Sequence, residues 1–216
     1  MGEFAVIGMG RFGSSVARTL RELGHQVLAI DKDEERLKHI ADEVTHAVQL
    51  DSTDAEALRS VGITNFDAVV VAIGTAIQES ILTTLVLKEL GCKRIVAKAA
   101  NEQQAKVLEK VGADVVVRPE RDMGARIAHT LASPSVVDYF EVSPTFSIEE
   151  LSVPERLSGR TLGQLDLKSR FGVSVLLVRR DSQLLIAPAP DTVLQAGDVL
   201  VVVGDNRQLS RLETAF

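Results

Sequence analysis

Residues 4–13 read Phe-Ala-Val-Ile-Gly-Met-Gly-Arg-Phe-Gly, and this stretch decides the fold. An apolar run typical of a strand ends at Gly8, and a helical pattern follows over residues 14–23. Gly8 permits a tight turn, Gly10 lets backbone N–H groups approach a pyrophosphate, and Gly13 lets the helix pack closely on the strand. The start of that helix offers unpaired N–H donors and a partial positive charge. The stretch therefore predicts a phosphate-binding turn.

A second apolar run, residues 26–30, ends at an acidic residue, Asp31. Its distance from the glycines is about the twenty residues expected in a dinucleotide-binding fold. A carboxylate there can accept hydrogen bonds from both hydroxyls of a ribose. Strand, glycine turn, helix and acid together favour a nucleotide site over a glycine-rich turn with a chance acid. Lys32, which follows directly, is assigned to the same site.

Two side chains lie inside the glycine-rich turn, Arg11 and Phe12. A guanidinium makes bidentate contacts with phosphate, so Arg11 suits a nucleotide that carries more charge than a plain pyrophosphate. A surface arginine in solvent explains the spacing equally well. The spacing alone leaves this choice open.

Composition excludes several classes of protein. The chain has 45% hydrophobic and 25% charged residues and a net charge of −6 without a basic run, which argues against nucleic-acid binding and a polybasic membrane contact. Cys92 is the only cysteine, so an intramolecular disulfide and a thiolate metal cluster are excluded. The longest apolar runs have the length of strands, and the chain enters a strand almost at once, so we expect no signal peptide. We expect a cytoplasmic protein.

Polar and small residues follow two further predicted strands, at the edge where open α/β sheets bind ligands. Asp51, Ser52 and Thr53 are candidates to contact an adenine edge. The alternative is that one of them caps the next helix, and both roles are compatible. Ile73 and Gly74 end a near-continuous apolar run, which is typical of a strand buried on both faces.

Lys98 ends the next strand and is a candidate to bind a phosphate or an acidic residue, although a solvated lysine is the alternative. Six alternating strand–helix units over residues 1–120 predict a Rossmann-like, doubly wound parallel sheet of strand order 3-2-1-4-5-6. This unit is the predicted nucleotide-binding domain.

The remainder of the chain is predicted to form a crossover helix, residues 121–143, and a small α+β lobe, residues 144–216. The helix has more apolar residues than covering a sheet edge needs, so we expect it to reach a partner subunit. Glu120 lies at its start, where it can cap the helix or bind a cation together with a two-fold mate. Residues 179–180, a pair of arginines, are interpreted as part of a solvated hairpin loop.

The order of these motifs resembles the RCK (KTN) family, with the closest likeness to cytosolic regulatory subunits of bacterial Ktr/Trk-type potassium uptake systems. The likeness covers essentially the whole chain. The glycine turn is shared with many proteins, whereas Pro-Glu-Arg-Asp-Met-Gly at residues 119–124 and the pattern of the C-terminal lobe are far more specific.

The resemblance implies a non-catalytic subunit of a homo-octameric ring, a tetramer of dimers, beneath a membrane-embedded potassium-translocating subunit at the inner face of the cell membrane. ATP and ADP, or NAD and NADH in some relatives, would set the shape of the ring. By position, Asp31 would hold the ribose and residues 51–53 would border the adenine. Arg11 would reach the terminal phosphate of a nucleotide in the neighbouring subunit. Glu120 and its dimer mate would bind a divalent cation or Na⁺.

In some members of this family the C-terminal lobe binds cyclic di-AMP at its dimer interface. The comparable region of this chain includes Arg170, Phe171, Ile186 and Pro188. No sharp motif for that ligand is present, so the resemblance leaves cyclic di-AMP binding open.

Two other functions use the same glycine turn. A nicotinamide-dependent dehydrogenase would need a general acid or base facing the cofactor, but Tyr139 is the only tyrosine, has no nearby lysine, and the C-terminal lobe is small. An NAD(H)-binding, redox-responsive regulator stays an alternative. A DNA-binding repressor is disfavoured by the acidic charge and the lack of a helix-turn-helix segment.

Overall fold

The computed structural model describes all 216 residues, which divide into two compact units, residues 1–120 and residues 121–216. The first unit is built on a parallel sheet whose strands are β1 (Glu3–Ile7), β2 (Gln26–Asp31), β3 (His46–Gln49), β4 (Ala68–Val71), β5 (Ile95–Lys98) and β6 (Val115–Val117). The strand order is β3-β2-β1-β4-β5-β6, so the predicted order is confirmed. The order reverses between β1 and β4, which opens a crevice at their carboxyl ends.

Five helices cover the two faces of this sheet: α1 (Arg11–Glu22), α2 (Glu34–Lys38), α3 (Ala55–Ser60), α4 (Ile77–Glu89) and α5 (Glu102–Val111). Alternate residues of a strand point to opposite faces. Val6 of β1 accordingly lies in a core with α1 and α2, whereas Ala5 and Ile7 lie in a second core with α3, α4 and α5. The fold is therefore doubly wound and Rossmann-like.

Two local predictions in the first unit are wrong. Apolar residues at helical spacing predict one helix over residues 32–44, but the structure has only α2, followed by a separate 3₁₀ turn, Ala41–Glu43. The cap of α3 is Asp54, whose carboxylate accepts the Glu56 N–H at 2.8 Å, and not one of residues 51–53. The Asp51 carboxylate instead accepts hydrogen bonds from the N–H and the hydroxyl of Thr53. Asp51 lies too far before α3 to cap it.

The segment that follows Glu120 differs from the sequence-based expectation. Helix α6 (Pro119–Ala132) was expected to continue toward residue 140, but residues 136–143 form a strand, β7 (Val136–Ser143). Pro134 disfavours helical geometry at the residue before it and lacks the N–H that a helix interior needs. The β-branched and aromatic residues beyond it favour a strand. The role of residues 121–143 as a crossover between subunits stays a prediction.

After β7, the second unit contains β8 (Phe146–Ser152), α7 (Leu162–Leu165), α8 (Leu167–Phe171), β9 (Ser174–Arg180), β10 (Gln183–Ile186), β11 (Val199–Asp205) and α9 (Asn206–Ala215). Its strands form an antiparallel sheet of order β10-β9-β11-β8-β7. Helix α9 packs on β8 and β11 through Leu209 and Leu212, which are fully buried. This is the small α+β lobe that the sequence predicts. No helix in the chain has both the length and the apolar character needed to cross a bilayer.

Candidate functional site

A cleft of about 510 Å³ lies at the carboxyl ends of the parallel strands. Twelve of the residues assigned to the site from the sequence line it, namely Gly8, Gly10, Arg11, Phe12, Asp31, Lys32, Asp51, Ser52, Ile73, Gly74, Lys98 and Glu120. Gly13 and Thr53 do not line the cleft. Gly13 packs closely against Gly8, and Thr53 hydrogen-bonds to Asp51, and these two partners do line it. The fold thus collects residues from the carboxyl ends of all six parallel strands into one site.

The glycine turn forms one end of the cleft. Gly8 has a φ of +96°, in the left-handed region that favours glycine. A Cβ on Gly13 would lie 1.9 Å from the carbonyl oxygen of Gly8, so only glycine allows α1 to approach the turn this closely. Gly10 caps α1 without a side-chain hydrogen bond, and no acid lies in the first turn of the helix. The first N–H groups of α1 and its dipole therefore favour an anion at this end.

Asp31 is a buried carboxylate held by the backbone. Its Oδ2 accepts the N–H of Met9 at 2.6 Å, and its Oδ1 accepts the N–H of Asp33 at 2.9 Å. Arg36, which sequence reasoning missed, approaches Oδ2 with its Nη1 at 3.7 Å. A carboxylate has about four lone-pair sites, so both oxygens retain acceptor capacity. Asp31 is thus oriented before any ligand arrives and can still accept ribose hydroxyls.

Lys98 and Glu120 form an ion pair at the end of the cleft that holds the glycine turn. Lys98 Nζ donates to Glu120 Oε1 at 2.5 Å and lies 5.7 Å from the ring centroid of Phe12. The side chain of Lys98 is only 11% exposed. The hydrogen bond from Lys98 lowers the pKa of Glu120, and the charge of Arg11 lowers it further. Arg11, Lys98 and the helix terminus together make this the positive end of the cleft.

The cation predicted at Glu120 does not fit a single chain. Glu120 is a single carboxylate, and the ammonium of Lys98 already occupies one of its oxygens. No group of three or more His, Cys, Asp or Glu residues is placed to hold a metal ion anywhere in the chain. A cation shared between two copies of Glu120 stays a prediction about a dimer.

The opposite end of the cleft is formed by the loops after β2 and β3 and by the first turn of α4. The Asp51 Oδ1 accepts the N–H of Thr53 at 2.9 Å and its hydroxyl at 2.7 Å, and these bonds lower the pKa of Asp51. Lys32 pairs with Glu79 of α4. Sequence reasoning missed Glu79, since an acid in the first turn of a helix is explained by the helix dipole alone.

In the second unit, the residues compared with a cyclic di-AMP site lie on two different elements. Arg170 and Phe171 belong to α8, and the guanidinium of Arg170 lies 5.2 Å from the Phe171 ring centroid. Ile186 ends β10 and is 75% exposed, with Pro188 shortly after it. These residues alone do not define a nucleotide site.

The interpretation of Arg179 and Arg180 as part of a loop is wrong, although the side chain of Arg179 is 41% exposed. Both end β9, where Arg179 pairs with Glu150 at 2.5 Å. Arg180 donates to both oxygens of Asp198, at 2.8 and 2.7 Å, and Asp198 is only 2% exposed. The arginines therefore tie β9 to neighbouring segments of the second unit.

Models of two protein families match the chain. The TrkA-N domain matches residues 4–119 and the TrkA-C domain matches residues 148–216. Two relatives from Bacillus subtilis (strain 168) are "Ktr system potassium uptake protein C", 46% identical over 98% of this chain and 96% of its own length, and "Ktr system potassium uptake protein A", 41% identical over 98% and 95%. The protein A of Vibrio alginolyticus is 39% identical over 96% and 94%.

Solved structures share the fold. The crystal structure of the GsuK RCK domain aligns with 99% of this chain at a TM-score of 0.71 and 22% sequence identity. This chain spans 47% of that chain, about half its length. At 22% identity this similarity shows that the two chains share a fold, and no more.

Proposed function

The chain belongs to the RCK family, in the form that joins a TrkA-N domain to a TrkA-C domain, and we propose that it is a non-catalytic regulatory subunit that binds ATP or ADP and gates a membrane potassium-uptake partner. The observation that supports nucleotide binding is that the glycine turn and the backbone-held carboxylate of Asp31 line the same cleft. The names of the relatives, Ktr system potassium uptake proteins, support potassium uptake as the process.

In this proposal the protein acts in the cytoplasm as an octameric ring, a tetramer of dimers, at the inner face of the membrane. The ring docks on a potassium-translocating subunit of Ktr/Trk type. Gating requires that this ring have two alternative shapes.

The proposed mechanism is a shift between two ring shapes. A ligand moves such an equilibrium only by its difference in affinity for the two shapes. The γ-phosphate of ATP offers Arg11 of a neighbouring subunit a charge-assisted contact that ADP lacks. ATP and ADP therefore favour different shapes, whereas the ribose contact of Asp31 is common to both.

NAD or NADH is the second candidate ligand, because a carboxylate on a ribose serves any nucleotide. Among structural neighbours one is described as "GsuK channel bound to NAD", at 21% identity, and another as "GsuK bound to ADP", at 18%. In that case the protein would be a redox-responsive regulator of the same partner.

The test is potassium flux in vesicles that contain the partner subunit with and without this protein. We expect flux to depend on the added protein and to differ between ATP and ADP. Flux that is the same with either nucleotide, and changes only with the NADH/NAD ratio, would replace the adenine-nucleotide proposal with the redox one. Flux that ignores the protein would exclude a gating role.

A further inference from the structure

One buried hydrogen bond joins the wall of the cleft to helix α4. The hydroxyl groups of Ser52 and Thr83 lie 2.8 Å apart. Ser52 lines the cleft and is 8% exposed, and Thr83 is fully buried. Ser52 stands between Asp51 and Thr53, whose own bonds are confined to the same short loop. Thr83 is thus the side chain outside the loop that hydrogen-bonds to residues 51–53.

The neighbours of Thr83 on the inner face of α4 make different contacts. Ser80 and Thr84 are also fully buried. The hydroxyl of Thr84 donates to the carbonyl oxygen of Ser80, within the helix, at 2.8 Å. The hydroxyl of Ser80 accepts from the Gln104 amide at 3.3 Å, on the side of α5. Of these three hydroxyls, that of Thr83 alone bonds to a residue that lines the cleft.

A second contact places α4 against another wall of the cleft. Glu79, one turn before Thr83, pairs with Lys32 at the end of β2. The loop after β3 and the loop after β2 are thereby both attached to one helix. These loops follow β2 and β3, which lie on the other side of β1 from β5 and β6, the strands that precede Lys98 and Glu120 in the cleft. They are therefore the loops left for the adenosine part of a nucleotide whose phosphates lie at the glycine turn.

We propose that Thr83 is a positioning residue for the adenosine end of the cleft and that it acts through Ser52. This inference rests on the proposed nucleotide function and deepens it. When a nucleoside contacts residues 51–52, the backbone of these residues must adopt one conformation. A loop that is held only by its own local bonds loses more conformational entropy on binding. The phosphate end lies on other loops and does not depend on this bond.

The test compares two substitutions of neighbouring buried threonines, Thr83→Val and Thr84→Val, by calorimetric titration of the full chain with ATP, ADP, adenosine and inorganic tripolyphosphate. Thr83→Val removes the bond to the loop, and Thr84→Val removes a bond inside the helix. We expect Thr83→Val to weaken ATP, ADP and adenosine alike, by about three- to tenfold, the worth of one buried hydrogen bond. Tripolyphosphate binding should not change, and Thr84→Val should alter nothing by more than about twofold.

Two further variants separate positioning from a general structural role. Thr83→Ser keeps the hydroxyl and should restore the affinity for adenosine. Ser52→Ala removes the same hydrogen bond from the loop side. Its loss of adenosine affinity should therefore not add to the loss caused by Thr83→Val. This pair also keeps the test decisive if Thr83→Val does not fold.

Equal losses in Thr83→Val and Thr84→Val, or additive losses with Ser52→Ala, would overturn the inference while leaving nucleotide binding intact. A wild-type protein that binds tripolyphosphate but neither adenosine nor ATP would overturn the proposed function, and the inference with it. The two failures are therefore distinguishable.

Discussion

Two buried carboxylates, one in each unit, have opposite surroundings. Asp31 is 6% exposed, and each of its oxygens accepts a backbone N–H. Glu149 of β8 is 4% exposed, and its Oε2 has no hydrogen-bond partner. Burial raises the pKa of Glu149 to about 7, and the charge of Glu213 contributes to the rise. Burial alone therefore does not make a ligand-binding acid, since the donors around the carboxylate decide its charge and orientation.

The difference follows from the two sheets. The carboxyl ends of parallel strands converge on one edge, where successive loops supply N–H donors to Asp31. Glu149 lies in the middle of an antiparallel strand, where the backbone N–H groups are used by the neighbouring strands. A third buried acid, Asp198, is satisfied in yet another way, by the guanidinium of Arg180.

The largest expected effect concerns that third acid. Arg180→Ala leaves the buried Asp198 carboxylate without its charged partner, and we expect a loss of about 3 kcal/mol in the free energy of unfolding. Urea unfolding of the full chain measures it. The matched control is Arg179→Ala, whose pair with Glu150 is more exposed and should contribute about 1 kcal/mol or less. A loss from Arg180→Ala no larger than that of the control would contradict the role of Arg180.

Asp31→Ala tests the acid of the cleft. We expect it to weaken ATP, ADP and NADH alike by about 10- to 100-fold, because a charged acceptor of ribose hydroxyls is lost from all three. Asp31→Asn keeps one acceptor oxygen, so its affinities should lie between those of the wild type and those of Asp31→Ala. Calorimetric titration measures the affinities, and Glu149→Gln serves as the control that leaves them unchanged. Unaltered affinity in Asp31→Ala would remove this residue from the site.

Glu149 predicts a pH dependence of stability. Its pKa is raised from the ordinary 4.5 to about 7 in the folded state, so its contribution to stability is fully present below pH 4.5 and is lost as the pH rises through 7. Glu149→Gln removes the ionisation and should stabilise the protein at pH 8 by about 1–2 kcal/mol, with little effect at pH 5.

Chemical unfolding at both pH values measures this difference. Glu141→Gln, on the exposed part of β7, is the control and should change neither value appreciably. If Glu149→Gln and the wild type lose the same stability between pH 5 and pH 8, the pH dependence does not come from this carboxyl.

The smallest effect is expected at Arg11. Arg11→Ala should lower the affinity for ATP by about fivefold more than that for ADP, because only the γ-phosphate contact is lost. Titration of both nucleotides against the assembled protein measures the ratio. An equal loss for ATP and ADP would move Arg11 from the γ-phosphate to a part of the nucleotide that both share.

The alternation of strands and helices predicted the order of the six parallel strands through the topology that doubly wound folds share. Glycine spacing predicted the turn at Gly8, which depends on residues close in sequence. Contacts between distant residues were beyond such patterns. Arg180 and Asp198 are 18 residues apart, and Ser52 and Thr83 are 31 apart, with no local signal that joins them. The apolar run beyond α6 was predicted to continue the helix, and Pro134 was the signal against that continuation.

The most direct test of the central claim is calorimetric titration of the purified protein with ATP, ADP, NAD and NADH, with the mass of the assembly measured on the same samples. We predict micromolar binding of ATP and ADP, one site per chain, to an octamer. Tight binding of NADH alone to a monomer or dimer would contradict a ring gated by adenine nucleotides. It would favour the alternative functions, a dehydrogenase or a redox sensor.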